Sequence, residues 1–373
     1  MFFRIVMVDT ITAEGVFLMG RIPETISGRR NTISWQDISR VFGKMTARRY
    51  GMDHEALIRR QWPDYEVLGV LGEGTSGRVY EIAHKSPTGE VRYAVKVISS
   101  EKATERVRQG GARDEIKQYP EKCVKDLSLE ARVMQILKGD PHIVSIEDFA
   151  VMRDEESDQD HVLIRMELLK PFRLWREQRG ELTQEDIVRL GIDLCLAVEH
   201  CHRNKIVYRD FHQHNMFVDA DSHFKLGDFG SARMEEFCQP KNDRTGDVMN
   251  NGAEGYTKEL NPRDHESIVK KDIYCAGMFL YKLLNSDTYP FLPADRSVTT
   301  MERKIAFEVF KRGILPLPPP KHADAALSEI VLKACAPDPE QRYASARALR
   351  AALEALSGTP PTEPRDRNKE QTT

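Results

Sequence analysis

Between Tyr65 and Ile98 apolar and polar residues alternate in short runs broken by glycine. Tyr65-Glu66-Val67-Leu68 leads into a glycine cluster, and Arg78-Val79-Tyr80-Glu81-Ile82 leaves it. Arg92-Tyr93-Ala94-Val95-Lys96-Val97-Ile98 follows the turn Ser86-Pro87-Thr88-Gly89. Such runs, rich in β-branched and aromatic residues and punctuated by Gly and Pro, predict three strands in an antiparallel meander. From Ile187 onward the period changes. Ile187, Leu190, Leu194 and Val198 share one face of a helix. Asp272 to Leu284 is apolar nearly all round, as expected of a helix buried within a larger helical lobe. A β-rich front thus precedes an α-rich back.

The ends of the chain carry weaker patterns. Met1 to Val8 is short and apolar, without a basic leader or a small-residue cleavage site, and reads as a strand rather than a signal peptide. Val16-Phe17-Leu18-Met19 reads as a second strand, Gly28 to Thr32 as a loop, and Ser34 with Asp37 as the capping box of a short helix. Residues 1–61 therefore form an N-terminal extension, either a small module or a packing element of the following domain. Ser357 to Thr373 is rich in Pro, Thr and charge, lacks periodic apolar residues, and reads as a disordered tail.

The 373 residues are 40% hydrophobic and 30% charged, an ordinary balance for a soluble globular protein. A formal net charge of −3 argues against a nucleic-acid or anionic-membrane partner. No apolar stretch is long enough to span a bilayer. The cysteines Cys123, Cys195, Cys201, Cys238, Cys275 and Cys335 form no C-x-x-C pair and no Cys/His metal spacing, so free thiols in a reducing cytoplasm are expected.

Chemistry enters at Gly72-Glu73-Gly74-Thr75-Ser76-Gly77-Arg78-Val79. Glycines at this spacing let a backbone fold over a polyphosphate, so that amide N–H groups reach its oxygens. A dinucleotide fingerprint shares the glycines but requires a helix directly afterwards. Here β-branched Val79 and Ile82 predict a strand. Taken alone, a plain glycine-rich hairpin is the simpler reading. Three further motifs follow in order: Tyr93-Ala94-Val95-Lys96, then Tyr208-Arg209-Asp210-Phe211-His212-Gln213-His214-Asn215, then Asp228-Phe229-Gly230. Each is modest by itself; in this order, on the predicted strands and loops, the set resembles the Hanks-type serine/threonine protein kinases, closest in flavour to bacterial members.

The resemblance implies an α+β, two-lobed fold: an antiparallel β-rich N-lobe with an αC helix at about 62–167, and a mainly helical C-lobe at about 168–356. It implies ATP and Mg²⁺ as cofactors and a protein substrate as partner, with oligomeric state left open. Lys96 holds phosphates and pairs with an acid from αC. Glu130, in Leu129-Glu130-Ala131-Arg132-Val133-Met134, is the first choice, and Glu115 the alternative. Asp210 serves as catalytic base, and Asn215 and Asp228 as metal ligands. Gly72, Gly74 and Gly77 cover the phosphates. Met166 resembles the gatekeeper, backbone groups near Glu167 and Leu169 meet the adenine edge, and Val79, Ala94 and Phe217 sandwich its faces. Asp272 resembles the aspartate at the start of a buried helix that anchors the catalytic loop. Asp338-Pro339-Glu340-Gln341-Arg342 resembles the closing D-P-x-x-R of the C-lobe.

Two departures stand out. His212 occupies the place where the family has a lysine that contacts the γ-phosphate; a free imidazole, with a pKa of about 6.5, carries little charge at neutral pH. In Gly252-Ala253-Glu254-Gly255-Tyr256-Thr257-Lys258-Glu259, Ala253 replaces the threonine expected near the catalytic aspartate, and Glu259 is the partner expected for Arg342. Ser231, Thr245 and Thr257 are the phosphorylation candidates of this segment. The residues are compatible with an active kinase, with a nucleotide-binding scaffold, or with a kinase for a small molecule.

Overall fold

In this computed structural model the described residues are 54–74, 77–87, 89–99, 119–154, 159–234, 265–288, 290–292, 296–311 and 315–357. The expected features at 1–53, at 235–264 and beyond Ser357 lie outside them, as does Glu115.

A five-stranded antiparallel sheet forms the front of the molecule, in the order β1-β2-β3-β5-β4. Its strands are β1 (Glu66–Gly74), β2 (Gly77–Ser86), β3 (Gly89–Ser99), β4 (Ile146–Asp154) and β5 (Gln159–Glu167). The first three are the predicted meander, with Val79 opposite Lys96 and Ala94 opposite Met166. Because side chains alternate across a strand, β3 serves two layers at once. Val95 and Val97 point outward into a cluster with Tyr80, Ile82 and Leu163. Lys96 and Ile98 point inward, towards helix α2 (Tyr119–Ile136).

Helix α1 (His54–Gln61) covers the outward cluster. Leu57, Ile58 and the following Trp62 are buried there, each worth about 1.5–3 kcal/mol of apolar burial. Trp62 Nε1 donates to Asp148 Oδ2 on β4 at 2.8 Å, and the Arg165 guanidinium lies 5.2 Å from the centre of the Trp62 ring. This part of the N-terminal extension is therefore built into the sheet's hydrophobic cover.

The back is helical. Short strands β6 (Lys170–Pro171), β8 (Met216–Val218) and β9 (Phe224–Leu226) pair in one ribbon, and β7 (Ile206–Val207) pairs with β10 (Arg233–Met234). Around them lie α3 (Phe172–Arg179), α4 (Gln184–Arg203), α5 (His265–Leu284), α6 (Thr300–Lys311), α7 (Ala325–Ala334) and α8 (Ala346–Ser357). A capping box starts α4: Thr183 accepts from the Asp186 amide while Asp186 accepts from the Thr183 amide. Its predicted apolar face, Ile187, Leu190, Leu194 and Val198, is buried. Helix α5 touches α7 so closely at Gly277 that a Cβ there would sit 2.6 Å from the Ala334 Cβ. No described helix is long and apolar enough to cross a membrane.

The two halves are stitched beside the cleft. The backbone of His142 and Val144, after α2, exchanges hydrogen bonds with Leu226 on β9 at 2.8 and 2.9 Å. One residue further on, Ser145 N donates to the Glu167 carboxylate at 2.6 Å, and Glu167 N donates to Ser145 O at 3.1 Å. The end of β5 and the strand before Asp228 are thus held by the same four-residue segment.

Candidate active site

At the inner face of β3, Lys96 donates to both oxygens of Glu130, at 2.8 and 2.9 Å, and to Asp228 Oδ1 at 2.8 Å. Lys96 and Glu130 are both 5% exposed. Burial alone would lower the lysine's pKa, but the carboxylates of Glu130 and Asp228 outweigh it and hold the ammonium above its ordinary value. The two acids differ. Burial raises Glu130 against the pull of Lys96. Asp228 also suffers burial, yet Lys96 and the Gly230 amide keep its carboxyl below the usual range. One ammonium therefore serves two carboxylates, and Asp228 is the one whose charge is better held.

The loop after β7 is set from beneath. Asp272, fully buried in α5, accepts from the Tyr208 amide at 2.9 Å, the Arg209 amide at 2.8 Å and His202 Nε2 at 2.9 Å. The clamp spans Arg209, whose φ of 75° lies in the left-handed region that a side chain disfavours. Asp272 sits seven residues beyond His265, where helix α5 begins, rather than at the start of the helix as expected. Two full turns before it leave the carboxylate deep in the helical layer.

Tyr208 itself is buried; its hydroxyl donates to Gly227 O at 2.7 Å, and its ring meets Phe211 and Phe229 edge-on at 5.0 and 5.3 Å. Burial pushes its phenol pKa up. The pair of loops is closed by Asn215: its side-chain amide donates to Asp210 O at 3.1 Å, and its carbonyl accepts from Gly227 N at 2.8 Å. The next residue, Asp228, has a φ of 47°, a second left-handed backbone at the same spot. Asp210 receives Ser231 Oγ at 3.3 Å on one oxygen and faces His212 Nε2 at 3.2 Å on the other.

Lys96 thus meets Asp228 directly, and Asn215 ties the loop of Asp210 to the residue just before Asp228. Among the described residues no group of three or more His, Cys, Asp and Glu side chains could hold a metal ion. Mg²⁺ needs no such cage, since it keeps waters and substrate phosphates and uses one or two protein oxygens. A carboxylate such as that of Asp228 and an amide oxygen such as that of Asn215 are hard donors of the type Mg²⁺ takes.

The protein kinase domain family matches residues 65–353 of the chain. The chain belongs to the protein kinase family. Three relatives illustrate the similarity. The chain is 28% identical over 249 residues to a rice protein named CBL-interacting protein kinase 2, covering 66% of this chain and 49% of that protein. It is 29% identical over 189 residues to serine/threonine-protein kinase PknB of Mycobacterium tuberculosis, covering 50% of this chain and 29% of that one. A probable serine/threonine-protein kinase of Clostridium perfringens is 24% identical over 296 residues, covering 79% of this chain and 38% of its own length. The chain thus spans about half the length, or less, of these three relatives.

Within this kinase domain the glycine loop shows why its last member is glycine. A Cβ on Gly77 would lie 2.5 Å from the Val97 carbonyl oxygen, whereas Gly72 and Gly74 have open space. The last glycine answers to packing of β2 on β3, and no neighbour demands a glycine at the first two. Ala94 is buried, and Val79 and Phe217 are half-buried. Leu169 is half-buried beside β6.

Sequence reasoning assigned Glu167 by its backbone and missed its side chain. The carboxylate accepts from Lys225 at 2.7 and 3.0 Å as well as from Ser145 N. The signal was Lys225 three residues before Asp228, but nothing local says that it reaches residue 167. Arg342 is buried with its guanidinium on the carbonyls of Ala336, Lys270 and Pro337; its expected partner Glu259 lies outside the described residues, as do Ala253, Thr245 and Thr257.

Proposed function

We propose that this protein transfers the γ-phosphoryl group of ATP to serine or threonine hydroxyls of a protein substrate, with Mg²⁺. The observation that carries the proposal is the ammonium of Lys96 held simultaneously by Glu130 and Asp228. In kinase chemistry the lysine–acid pair and the metal-binding aspartate must be in place together, and here a single cation joins them.

Each residue then has a task. Lys96, oriented by Glu130, neutralises charge on the α- and β-phosphates. Gly72, Gly74 and Gly77 let the β1–β2 turn lie over the phosphates. Backbone groups around Glu167 and Leu169 meet the adenine edge, with Val79, Ala94 and Phe217 against its faces. Asn215 and Asp228 hold Mg²⁺, which supplies charge neutralisation on the phosphates. Asp210 orients the acceptor hydroxyl and accepts its proton. His212, in contact with Asp210, holds the base from the side on which the family has a lysine. A reducing, cytoplasmic setting suits Cys195, Cys201, Cys275 and Cys335, which are buried free thiols among the described residues.

The test is incorporation of label from [γ-³²P]ATP with Mg²⁺, in autophosphorylation and on a generic protein acceptor. Asp210→Ala is expected to abolish incorporation while leaving ATP-dependent thermal stabilisation. Stabilisation by nucleotide with no incorporation in the parent would identify a binding scaffold and end the proposal.

A further inference from the structure

Between α6 and α7 runs Leu315-Pro316-Leu317-Pro318-Pro319-Pro320-Lys321. Its conformation is dictated almost residue by residue. Four prolines fix their own φ near −65°, and every residue that precedes one is pushed to the extended side of the map. That leaves a polyproline II helix, with three residues per turn and three edges. The segment lies outside every helix and strand.

Burial follows the same three-residue period. Leu315, Pro318 and Lys321 are exposed; Pro316 and Pro319 are exposed; Leu317 is half-buried and Pro320 buried. One edge of the prism is therefore sunk into the domain, where Leu317 packs on the main core. The other two edges face outward along the whole segment. The C-terminal end is pinned to the end of α5: Lys321 N donates to Asn285 Oδ1 at 3.4 Å, and His322 N donates to Leu284 O at 2.9 Å. Asn285 in turn donates to Thr288 O at 2.9 Å.

A rigid ridge of this kind is an unusual thing to leave on a surface. Leu315 is 52% exposed, and the prolines beside it cannot be given to a neighbouring sheet because they have no N–H to pair. Domains that read polyproline II ligands insert two of the three edges into an aromatic-lined groove and gain affinity because the ligand is already ordered. The two outward edges here present Leu315-Pro316 and Pro318-Pro319, which is a P-x-x-P arrangement, and the exposed cation Lys321 stands two residues beyond the second proline. An acidic pocket at the end of such a groove would take that cation. Pro319 also borders a shallow depression lined by Ala323, just before α7, and by Ala325, Ser328, Glu329, Leu332 and Lys333 on it, ground that a docked domain would cover.

We propose that Leu315–Lys321 is a docking ridge for a partner domain of the SH3 type, one with an aromatic polyproline groove and an acidic pocket. The ridge lies on elements other than those that carry Lys96, Asp210, Asn215 and Asp228, so binding there and catalysis can be tested separately.

The experiment is isothermal titration of the full chain with a purified SH3 domain selective for P-x-x-P-x-K ligands, alongside a WW domain as the competing type of polyproline reader. Saturable one-to-one binding by the SH3 domain is expected. The double variant Pro316→Ala/Pro319→Ala should abolish it, and Lys321→Glu should weaken it by about tenfold or more, a loss of at least ~1.4 kcal/mol. Arg347→Glu, at an exposed position on α8 outside the ridge segment, should leave it unchanged. All altered residues are exposed, so thermal melts of the variants should overlay the parent. Absence of saturable binding by either domain, or binding equal in parent and ridge variants, would overturn the proposal. Self-association of the parent that the ridge variants abolish would overturn it in favour of a second copy of this chain.

Discussion

His212 Nε2 lies 3.2 Å from Asp210 Oδ1. The residue that stands where the family has a phosphate-contacting lysine thus touches the proposed base directly. A lysine at this position would reach further and carry a fixed charge, so the two side chains are not interchangeable. His212→Ala removes the contact with Asp210 and is expected to lower kcat about tenfold or more, while ATP-dependent thermal stabilisation stays within a degree or two of the parent's. Steady-state kinetics measure it, and an unchanged kcat would remove His212 from the mechanism.

Asp272 binds two backbone amides and His202 with its two oxygens. Asparagine keeps the shape but turns one oxygen into a donor, set against groups that already donate. A buried polar group left unsatisfied costs about 1–3 kcal/mol, and the loop that carries Asp210 loses its footing. Asp272→Asn should melt lower and lose at least about tenfold in kcat, with nucleotide-induced stabilisation retained. Unchanged kcat in a destabilised variant would confine Asp272 to stability.

The glycine loop predicts a contrast between neighbours. Gly77→Ala drives a Cβ to 2.5 Å from the Val97 carbonyl oxygen, while Gly74→Ala enters open space. Overpacking of this kind costs about 1–3 kcal/mol. Gly77→Ala should lower the melting temperature and raise KM for ATP; Gly74→Ala should leave the melting temperature of the nucleotide-free protein in place. Equal melting temperatures for the two variants would contradict the strand-packing account.

Asp186 supplies a pH test. Burial raises its carboxyl, but Arg179, Thr183 and Arg189 overcome this and hold it at about 2, against an ordinary 3.8. A folded-state pKa below the unfolded one adds stability that is complete above the unfolded value and disappears as pH falls towards 2. The side chain is only 3% exposed, and the shift corresponds to about 2 kcal/mol. Asp186→Asn should therefore be less stable than the parent at pH 7, and the difference should narrow between pH 4 and pH 2. A constant difference in denaturant midpoints across that range would place the contribution in packing rather than charge.

Much of the fold was readable because its signals are local. Strand periodicity, the turn at Ser86–Gly89 and the helical period from Ile187 onward each depend on a dozen residues or so. The same holds for the motifs around Lys96, Asp210, Asn215 and Asp228. Helix α1 escaped notice because eight residues with two buried positions carry little pattern. It acquires meaning only when Trp62 and Arg165 stack against the sheet. Asp272 was singled out, but its depth in the helix depends on where α5 begins, which the apolar run from Asp272 onward does not reveal.

The sequence by itself determined which residue types recur at kinase spacing and which strands and loops carry them, since backbone preference and short-range pattern act along the chain. Only the tertiary structure decided that Glu130 meets Lys96, that Asp228 shares the same ammonium, and that Glu167 joins Lys225. Those partners lie 34, 132 and 58 residues apart. Charges so distant in sequence find each other only after the sheet, α2 and the helical layer have packed and removed water from between them.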